Sequence, residues 1–317
     1  MREGAQPART EGTRGMHEPR MIWKRFQVAP GTKVHLKDYD PAWSGEDLGQ
    51  GLSKAQRKQA AEQLLSQDVS ALAQAQELLY AADSWALLVI FQAMDAAGKD
   101  STIKHVLSGV NPQGCQVTSF AHPSAEELDH TFLWRCVKAL PERGKIGIFN
   151  RSYYEEVLIV RVHPELVRAQ RIPGADPRKH SFWKARYDDI NRLERHLTRN
   201  GTAIVKFFLH LSREKQRQRL LERLNDPTKL WKFHASDLAE RALWDKYMAA
   251  YEACLSATST PWAPWYIIPA DHKWVTRALV AAILVRTIHS LDLRWPEVTD
   301  EQRQAIEQAR RQLEAEA

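Results

Sequence analysis

One short apolar run constrains the fold of this chain more than any other feature. Residues 86–91 read Ala-Leu-Leu-Val-Ile-Phe, and such a run is typical of a strand buried on both faces of a parallel sheet. Four further strand-like segments, separated by helical ones, lie at 116–120, 145–149, 202–211 and 265–268. This alternation predicts an α/β fold in which helices cover both faces of a parallel sheet.

The helical segments and the chain ends predict one large domain with two tails. Ser124 and Glu127 form a capping box, which predicts a helix running through Val137. The other predicted helices cover 53–80, 100–108, 181–198, 213–225, 236–255, 274–291 and the polar segment 300–317. We predict a flexible N-terminal tail at 1–21, a domain at 22–296 with a lid at about 213–250, and a polar C-terminal helix at 297–317.

The composition excludes a disordered chain, because 44% of the 317 residues are hydrophobic and 26% are charged. The 45 Lys+Arg and 39 Asp+Glu leave a net charge of +6. This excess favours acidic partners, whether nucleic acid, phosphate-rich small molecules or a membrane surface. The three cysteines lack metal-ligand spacing, and the apolar runs are too short to span a bilayer. We therefore predict free thiols and a cytoplasmic protein.

The segment after the first strand has the properties of a phosphate-binding loop. Residues 92–102 read Gln-Ala-Met-Asp-Ala-Ala-Gly-Lys-Asp-Ser-Thr. Small residues let backbone N–H groups surround an anion, and the helix N-terminus and Lys99 add positive charge. The match to GxxxxGK[ST] is imperfect, because Ala93 replaces the first glycine and Asp100 replaces the serine or threonine. The alternative is a chance strand-turn-helix with a surface lysine. A phosphate-binding loop would place phosphates against Ala97, Gly98, Lys99, Asp100 and Ser101.

Polar side chains elsewhere would complete a phosphate site around this loop. Asp95 would repel phosphates unless a cation intervened, so we expect it to hold Mg²⁺ or to act as a base towards an acceptor phosphate. Asn150 and Arg151 follow the strand at 145–149, where they should face the same edge of the sheet as the loop, or form an ordinary turn. Asn150 is a candidate metal ligand, and Arg151 should face the phosphates. Arg135, near the apolar face of its helix, must either pair with a carboxylate or face an anionic cleft.

A basic segment follows the strand at 202–211. Residues 213–234 contain seven cations and three anions, which leaves a net charge of +4. Such a run is usually a solvated helix face. A helix pair broken by Asp-Pro at 226–227, next to a strand end, is also the arrangement of a mobile lid that closes on phosphates.

Four segments of the sequence form a set in a fixed order. They are Met-Asp-Ala-Ala-Gly-Lys-Asp at 94–100, Phe-Asn-Arg-Ser-Tyr-Tyr at 149–154, Asn-Asp-Pro-Thr-Lys-Leu-Trp-Lys at 225–232 and Pro-Trp-Tyr-Ile-Ile-Pro-Ala-Asp at 264–271. Together they resemble the polyphosphate kinase 2 family over about 34–295. The resemblance implies a three-layer α/β/α P-loop kinase fold, similar to thymidylate kinases, with a helical lid. It also implies Mg²⁺-dependent transfer of a phosphoryl group between inorganic polyphosphate and a nucleotide.

The resemblance assigns roles by position. Asp95 matches the loop residue that faces the metal and the acceptor, Lys99 matches the lysine on the phosphates, and Arg151 matches the arginine of the Walker B strand. The basic lid positions are matched by Arg217, Arg223, Lys229 and Lys232, and Lys104 and Arg135 would extend a positive groove for the donor.

Asn150 departs from the family pattern, because many members carry aspartate there. The run Asn-Arg-Ser-Tyr-Tyr-Glu-Glu is similar to the class III subgroup, which phosphorylates both AMP and ADP. In that subgroup Glu155 or Glu156 would supply a second carboxylate for the metal.

The expected partners are polyphosphate, AMP, ADP and ATP, and the family implies a dimer or a tetramer. One alternative is a nucleoside monophosphate kinase that uses ATP as donor. The other is a non-catalytic nucleic-acid binder, for which the sequence has neither a helix-turn-helix pattern nor an aromatic-basic surface. We therefore expect no nucleic-acid partner and no membrane partner.

Overall fold

The computed structural model describes residues 19–47 and 51–316. Of the flexible tail predicted at 1–21, residues 1–18 lie outside the described residues, and a 3₁₀-helix at Pro19–Phe26 begins the described chain.

A five-stranded parallel sheet forms the centre of the fold, as the apolar runs predict. The strands are β1 (Ala86–Gln92), β2 (Cys115–Ser119), β3 (Ile146–Asn150), β4 (Thr202–His210) and β5 (Trp265–Pro269). Their spatial order is β2-β3-β1-β4-β5, and neighbouring strands are parallel. Because β1 pairs with β3, the segments that follow these two strands lie side by side at the carboxyl edge of the sheet.

Helices cover both faces of this sheet. They are α1 (Lys54–Ala82), α2 (Lys99–Val106), α3 (Ala125–Leu128), α4 (Trp134–Lys138), α5 (Ile159–Val162), α6 (Leu166–Ala169), α7 (His180–Arg199), α8 (Arg213–Leu224), α9 (Ser236–Ala242), α10 (Trp244–Thr258), α11 (Lys273–His289) and α12 (Asp300–Ala315). Leu88 and Ile90 of β1 belong to a core shared with α7 and α10, whereas Leu87 and Val89 belong to a core shared with α1 and α11. The alternation of β1 side chains thus builds the predicted three layers.

Two of the predicted helices are interrupted. The capping box at Ser124 is present, but the prediction of one helix through Val137 is wrong, because α3 ends at Leu128 and α4 begins at Trp134. Between them, Phe132 and Leu133 pack against the core beside α7, and this packing interrupts the helix. The helix predicted at 236–255 is likewise divided into α9 and α10.

The C-terminal segment forms the polar helix α12, whose side chains are all exposed. Within 19–47 and 51–316, no helix combines the length and the apolar character that crossing a membrane requires.

Candidate active site

The loop between β1 and α2 has the backbone of an anion-binding turn. Ala96 and Gly98 have φ values of 62° and 101°, and Gly98, which precedes α2, makes no side-chain cap. The N–H groups of the first turn of α2 therefore stay available to an anion. A Cβ at Gly98 would meet only Arg219 Nη1, at 3.8 Å, so the left-handed backbone, rather than a lack of space, favours glycine there.

Lys99 folds back over this loop. Its Nζ donates a hydrogen bond to the carbonyl oxygen of Ala93 at 3.1 Å. Burial, together with the charge of Arg151, lowers the pKa of Lys99, while Asp95 and Glu155 act in the opposite direction. The lysine thus lies among charges of both signs that its own loop and the neighbouring turn supply.

The turn after β3 lies beside the loop, as the parallel pairing predicts. Arg151 has a φ of 66°, its Nη2 donates to Asp95 Oδ1 at 3.2 Å, and its Nη1 lies 3.8 Å from Glu155 Oε2. Burial would lower the pKa of Arg151, but the carboxylates of Glu155 and Asp95 raise it above its usual value. One guanidinium group therefore joins the loop to the turn.

Asn150 and Glu155 both contact residues on β1 or α2. Asn150 donates from Nδ2 to Asp100 Oδ1 at 2.7 Å. Gln92, with its amide oriented so that both of its ends are satisfied, donates to Glu155 Oε1 at 2.7 Å. Burial raises the pKa of Glu155, although the nearby cations oppose this shift.

The carboxylate of Glu156, unlike that of Glu155, binds side chains away from the phosphate loop. Its carboxylate accepts hydrogen bonds from Arg186 Nη1 at 2.8 Å and from Gln170 Nε2 at 2.6 Å. Of the two glutamates that the sequence left open as a second carboxylate, only Glu155 lines the cleft beside the loop.

This cleft is open, has a volume of about 700 Å³, and lies between the loop, the turn after β3 and the lid. It brings together most of the predicted site residues, namely Asp95, Ala97, Gly98, Lys99, Asp100, Ser101, Asn150, Arg151, Glu155, Arg223, Lys229 and Lys232.

Three predicted cations lie away from the lining of this cleft. Lys104 is exposed on α2. Arg217 is exposed on α8 and pairs with Glu214, with Nη2 2.8 Å from Oε1. Arg135 is buried, and its Nη1 lies 3.5 Å from Glu127 Oε2, so it forms the carboxylate pair that was one of its two alternatives.

A second pocket, of about 170 Å³, meets the cleft at Arg151, Glu155 and Ile159. Arg135 also lines this pocket. The pocket adjoins a cavity of about 660 Å³, with which it shares Arg135 and Leu128. Arg151 therefore lies at the boundary between the cleft and the second pocket.

Comparison with known proteins assigns the family of this chain. The profile of polyphosphate kinase 2 (PPK2) matches residues 54–295. The chain belongs to this family. It is 52% identical over 294 residues to the ADP-polyphosphate phosphotransferase of Rhodopseudomonas palustris, covering 92% of this chain and 98% of the relative. It is 45% identical over 274 residues to the AMP/ADP-polyphosphate phosphotransferase of Meiothermus ruber, covering 86% and 96%.

The solved structures agree with this assignment. Polyphosphate kinase 2 from Arthrobacter aurescens superposes with a TM-score of 0.78 at 38% identity, over 90% of this chain and 96% of that one. The predicted P-loop kinase fold and the prediction of an enzyme, a kinase, are thereby confirmed.

The polyphosphate kinase 2 cleft has donors that fit Mg²⁺ only in combination with a substrate. Among the described residues, no group of three or more His, Cys, Asp or Glu side chains is placed to hold a metal ion. Mg²⁺, however, commonly keeps its waters and binds one or two carboxylates plus substrate phosphates. Asp95, whose side chain is 35% exposed, offers one such carboxylate to the cleft. The residues therefore fit an ion that arrives with a phosphate.

Sequence reasoning missed several residues that line the polyphosphate kinase 2 cleft. Tyr247 and Tyr251 of α10 form part of its wall, as do Lys273, at the start of α11, and Arg219 of α8. Lys273 follows β5 closely, so its place after a strand end was a usable signal. The two tyrosines have no such sequence signal, because they look like ordinary core residues of an amphipathic helix.

Proposed function

We propose that this protein transfers a phosphoryl group from inorganic polyphosphate to both AMP and ADP, with Mg²⁺, as a class III member of its family. The observation that carries this proposal is the position of Arg151, which pairs with Asp95 of the phosphate loop and lies where two spaces meet. The relative from Rhodopseudomonas palustris is named for ADP and the relative from Meiothermus ruber for AMP and ADP, and these names support the two acceptors.

The cleft suits a donor with many negative charges. Its cations include Lys99 of the loop, Arg223, Lys229 and Lys232 of the lid, and Lys273 at the start of α11. Carboxylates of the lid, namely Glu222, Asp237 and Glu240, line it as well. Polyphosphate repeats the same charged group along its length, so a donor chain gains from cations spread over such a distance. A lid that closes over the chain would also exclude water from the transferred group.

The second pocket suits the nucleoside part of the acceptor. Leu128, Val160 and Leu166 give it apolar walls. Its charged groups are of both signs, since Arg135 and Arg151 line it together with Glu155 and Glu156. Together with the adjoining cavity of about 660 Å³, the space falls within the usual range of small-molecule sites. A nucleotide bound there would present its terminal phosphate to Arg151, opposite the donor.

The chemistry that this arrangement supports is positioning and charge neutralisation, which phosphoryl transfer chiefly requires. The first turn of α2 and Lys99 would hold the donor phosphates, and Arg151 would stabilise charge on the transferred group. Asp95 would orient the attacking oxygen, and Mg²⁺ held by Asp95 and a substrate phosphate would supply further positive charge. Asn150 donates from Nδ2 to Asp100, so its Oδ1 would be the atom that could approach the ion.

The test follows nucleotides by chromatography after purified protein, Mg²⁺ and long-chain polyphosphate are mixed with AMP or with ADP. We expect ADP from AMP and ATP from ADP, only when polyphosphate is present. A tube with ADP alone detects contaminating adenylate kinase, and a Lys99→Ala preparation must lose the activity. ATP from ADP without any reaction of AMP would refute the class III assignment. Product only from ATP plus AMP would establish the conventional kinase instead.

We also propose a homo-oligomer, a dimer or a tetramer, located in the cytoplasm. Free thiols at Cys115, Cys136 and Cys254 suit a reducing compartment. Light scattering coupled to gel filtration measures the order of the assembly, and a monomer at micromolar concentration would contradict the first part.

A further inference from the structure

Two buried side chains of α8 reach the phosphate loop from the side of the lid. Gln216 donates from Nε2 to the carbonyl oxygen of Asp95 at 3.0 Å. Arg219 donates from Nη1 to the carbonyl oxygens of Ala96 at 3.1 Å and Ala97 at 2.9 Å. One lid helix thus binds three consecutive carbonyl groups of the loop.

The other terminal nitrogen of Arg219 binds the turn after β5. Nη2 donates to the carbonyl oxygens of Ala270 at 2.7 Å and Asp271 at 3.1 Å. The four N–H groups of the two terminal nitrogens therefore meet four backbone acceptors. Arg219 lines the cleft and carries a positive charge, but its terminal N–H groups are directed to the backbone, and only 7% of the residue is exposed.

The start of α8 is fixed to the same turn. The Asp271 carboxylate accepts from the backbone N–H of Ser212 at 2.9 Å and from its hydroxyl at 2.7 Å. Ser212 in turn caps α8. The N-terminal end of the helix that carries Gln216 and Arg219 is thereby attached to the turn after β5.

The loop needs such outside support. Ala96 is a non-glycine residue with a φ of 62°, a region that L-residues seldom occupy and that persists only when the surroundings impose it. A loop that turns its N–H groups towards an anion must turn carbonyl groups the other way, where they need donors of their own. Gln216 and Arg219 supply these donors at Asp95, Ala96 and Ala97.

We propose that Gln216 and Arg219 are positioning residues that hold the phosphate loop in its anion-binding conformation and couple it to the lid. The same helix α8 carries Arg223, which lines the cleft. A phosphate chain that binds the lid cations steadies α8, and α8 steadies the loop on which the reacting phosphates lie. The inference rests on the proposed phosphate-donor site and deepens it, since the side-chain donors of both residues are directed to backbone carbonyl groups.

The structural arm of the test measures hydrogen exchange of the loop amides by mass spectrometry in the free protein. We expect exchange in the peptide that covers 93–102 to become at least ~10-fold faster in Gln216→Ala and Arg219→Ala. Gln218→Ala is the matched control, because Gln218 lies on the same helix but is exposed and bonds only within it. Unchanged loop exchange in Gln216→Ala, which removes a neutral side chain and should fold, would overturn the proposal.

The kinetic arm uses polyphosphate, or ATP should that prove to be the donor. We expect Arg219→Ala to lower kcat/KM for the donor on the order of 100-fold, because small displacements of a reacting group have effects of this size. Guanidinium chloride at low millimolar concentration should restore part of this activity, whereas sodium chloride at the same concentration should not. Arg219→Lys should recover little, since one ammonium cannot reach four carbonyl groups. Donor kinetics of Arg219→Ala within threefold of the parent would overturn the coupling. Because the exchange arm contains no substrate, its outcome is independent of the proposed reaction.

Discussion

Replacing Lys206 by methionine should destabilise the protein by about 3–4 kcal/mol at pH 7. Lys206 lies on β4 with its Nζ 2.6 Å from Glu194 Oε2, and neither side chain is exposed. Nζ also donates to Tyr154 Oη at 2.8 Å and to the carbonyl oxygen of Thr258 at 2.7 Å. Methionine is an unbranched side chain one atom shorter than lysine, so the change removes the charge and its three hydrogen bonds with little loss of volume.

The magnitude follows from the carboxylate that remains. Removal of one member of a buried ion pair leaves an uncompensated charge, at a cost of about 3–5 kcal/mol. The hydrogen bonds that still reach Glu194 place the cost at the lower end of this range. The hydroxyl groups of Tyr153 and Tyr154 still donate to Oε1, at 3.0 and 2.7 Å. With about 0.7 kcal/mol/K of unfolding entropy for a chain of this length, the midpoint should fall by about 4–6 °C.

The assay is thermal unfolding of the parent and of Lys206→Met at pH 7. The double variant Lys206→Met/Glu194→Gln should regain at least half of the lost stability, since no buried charge is left. A midpoint within 1 °C of the parent, or a double variant no more stable than Lys206→Met, would refute the reasoning.

Three further outcomes are expected. Asp95→Asn should lower kcat at least ~100-fold without moving the unfolding midpoint by more than ~2 °C, because the 35%-exposed side chain contributes little to packing; near-normal turnover would remove Asp95 from the mechanism. Burial alone would lower the pKa of His163, but its hydrogen bond to Glu240 of the lid, with Nε2 3.0 Å from Oε2, raises it. The stabilisation by His163 is therefore complete below the ordinary histidine pKa and is lost as pH rises through the raised value, so His163→Gln should be less stable than the parent at pH 6 and equal to it at pH 9. Burial raises the pKa of Cys136 and of Cys254 to about 12, so both thiols should resist iodoacetamide at pH 8 until the protein unfolds.

The strands and the loop were predictable because their signals are local. A continuous apolar run at 86–91 reports a strand buried on both faces, and the observed strand is Ala86–Gln92. The parallel order then places the ends of β1 and β3 together, which is why Arg151 lies against Asp95 although 56 positions separate them. The helix predicted through Val137 failed for the opposite reason, because Phe132 and Leu133 pack against a core that lies far away in sequence.

The run of charged residues in the lid predicted helix α8, but not which side of this helix packs against the protein. Arg217 and Arg219 are two residues apart on α8, about 200° around the helix axis, and so they point in opposite directions. Arg217 pairs with Glu214 in solvent, whereas Arg219 binds the loop. Composition could not tell these two arginines apart, because the surface that α8 covers is built from distant segments, one 122 positions before Arg219 and another 51 positions after it.

Asparagine rather than aspartate at position 150 changes which carboxylates of the site need a nearby cation. An aspartate there would bring two carboxylates within hydrogen-bond distance, and one of them would need a proton or a metal ion. With asparagine, the uncharged Nδ2 group donates a hydrogen bond to the Asp100 carboxylate at 2.7 Å. The end of β3 therefore requires neither a proton nor a metal ion. Asp95 and Glu155 are the cleft carboxylates that lie beside Arg151. Only 12% of the Glu155 side chain is exposed and its pKa is raised, whereas Asp95 opens to the cleft. We therefore expect this family member to hold its cation at the phosphate loop rather than at the strand end.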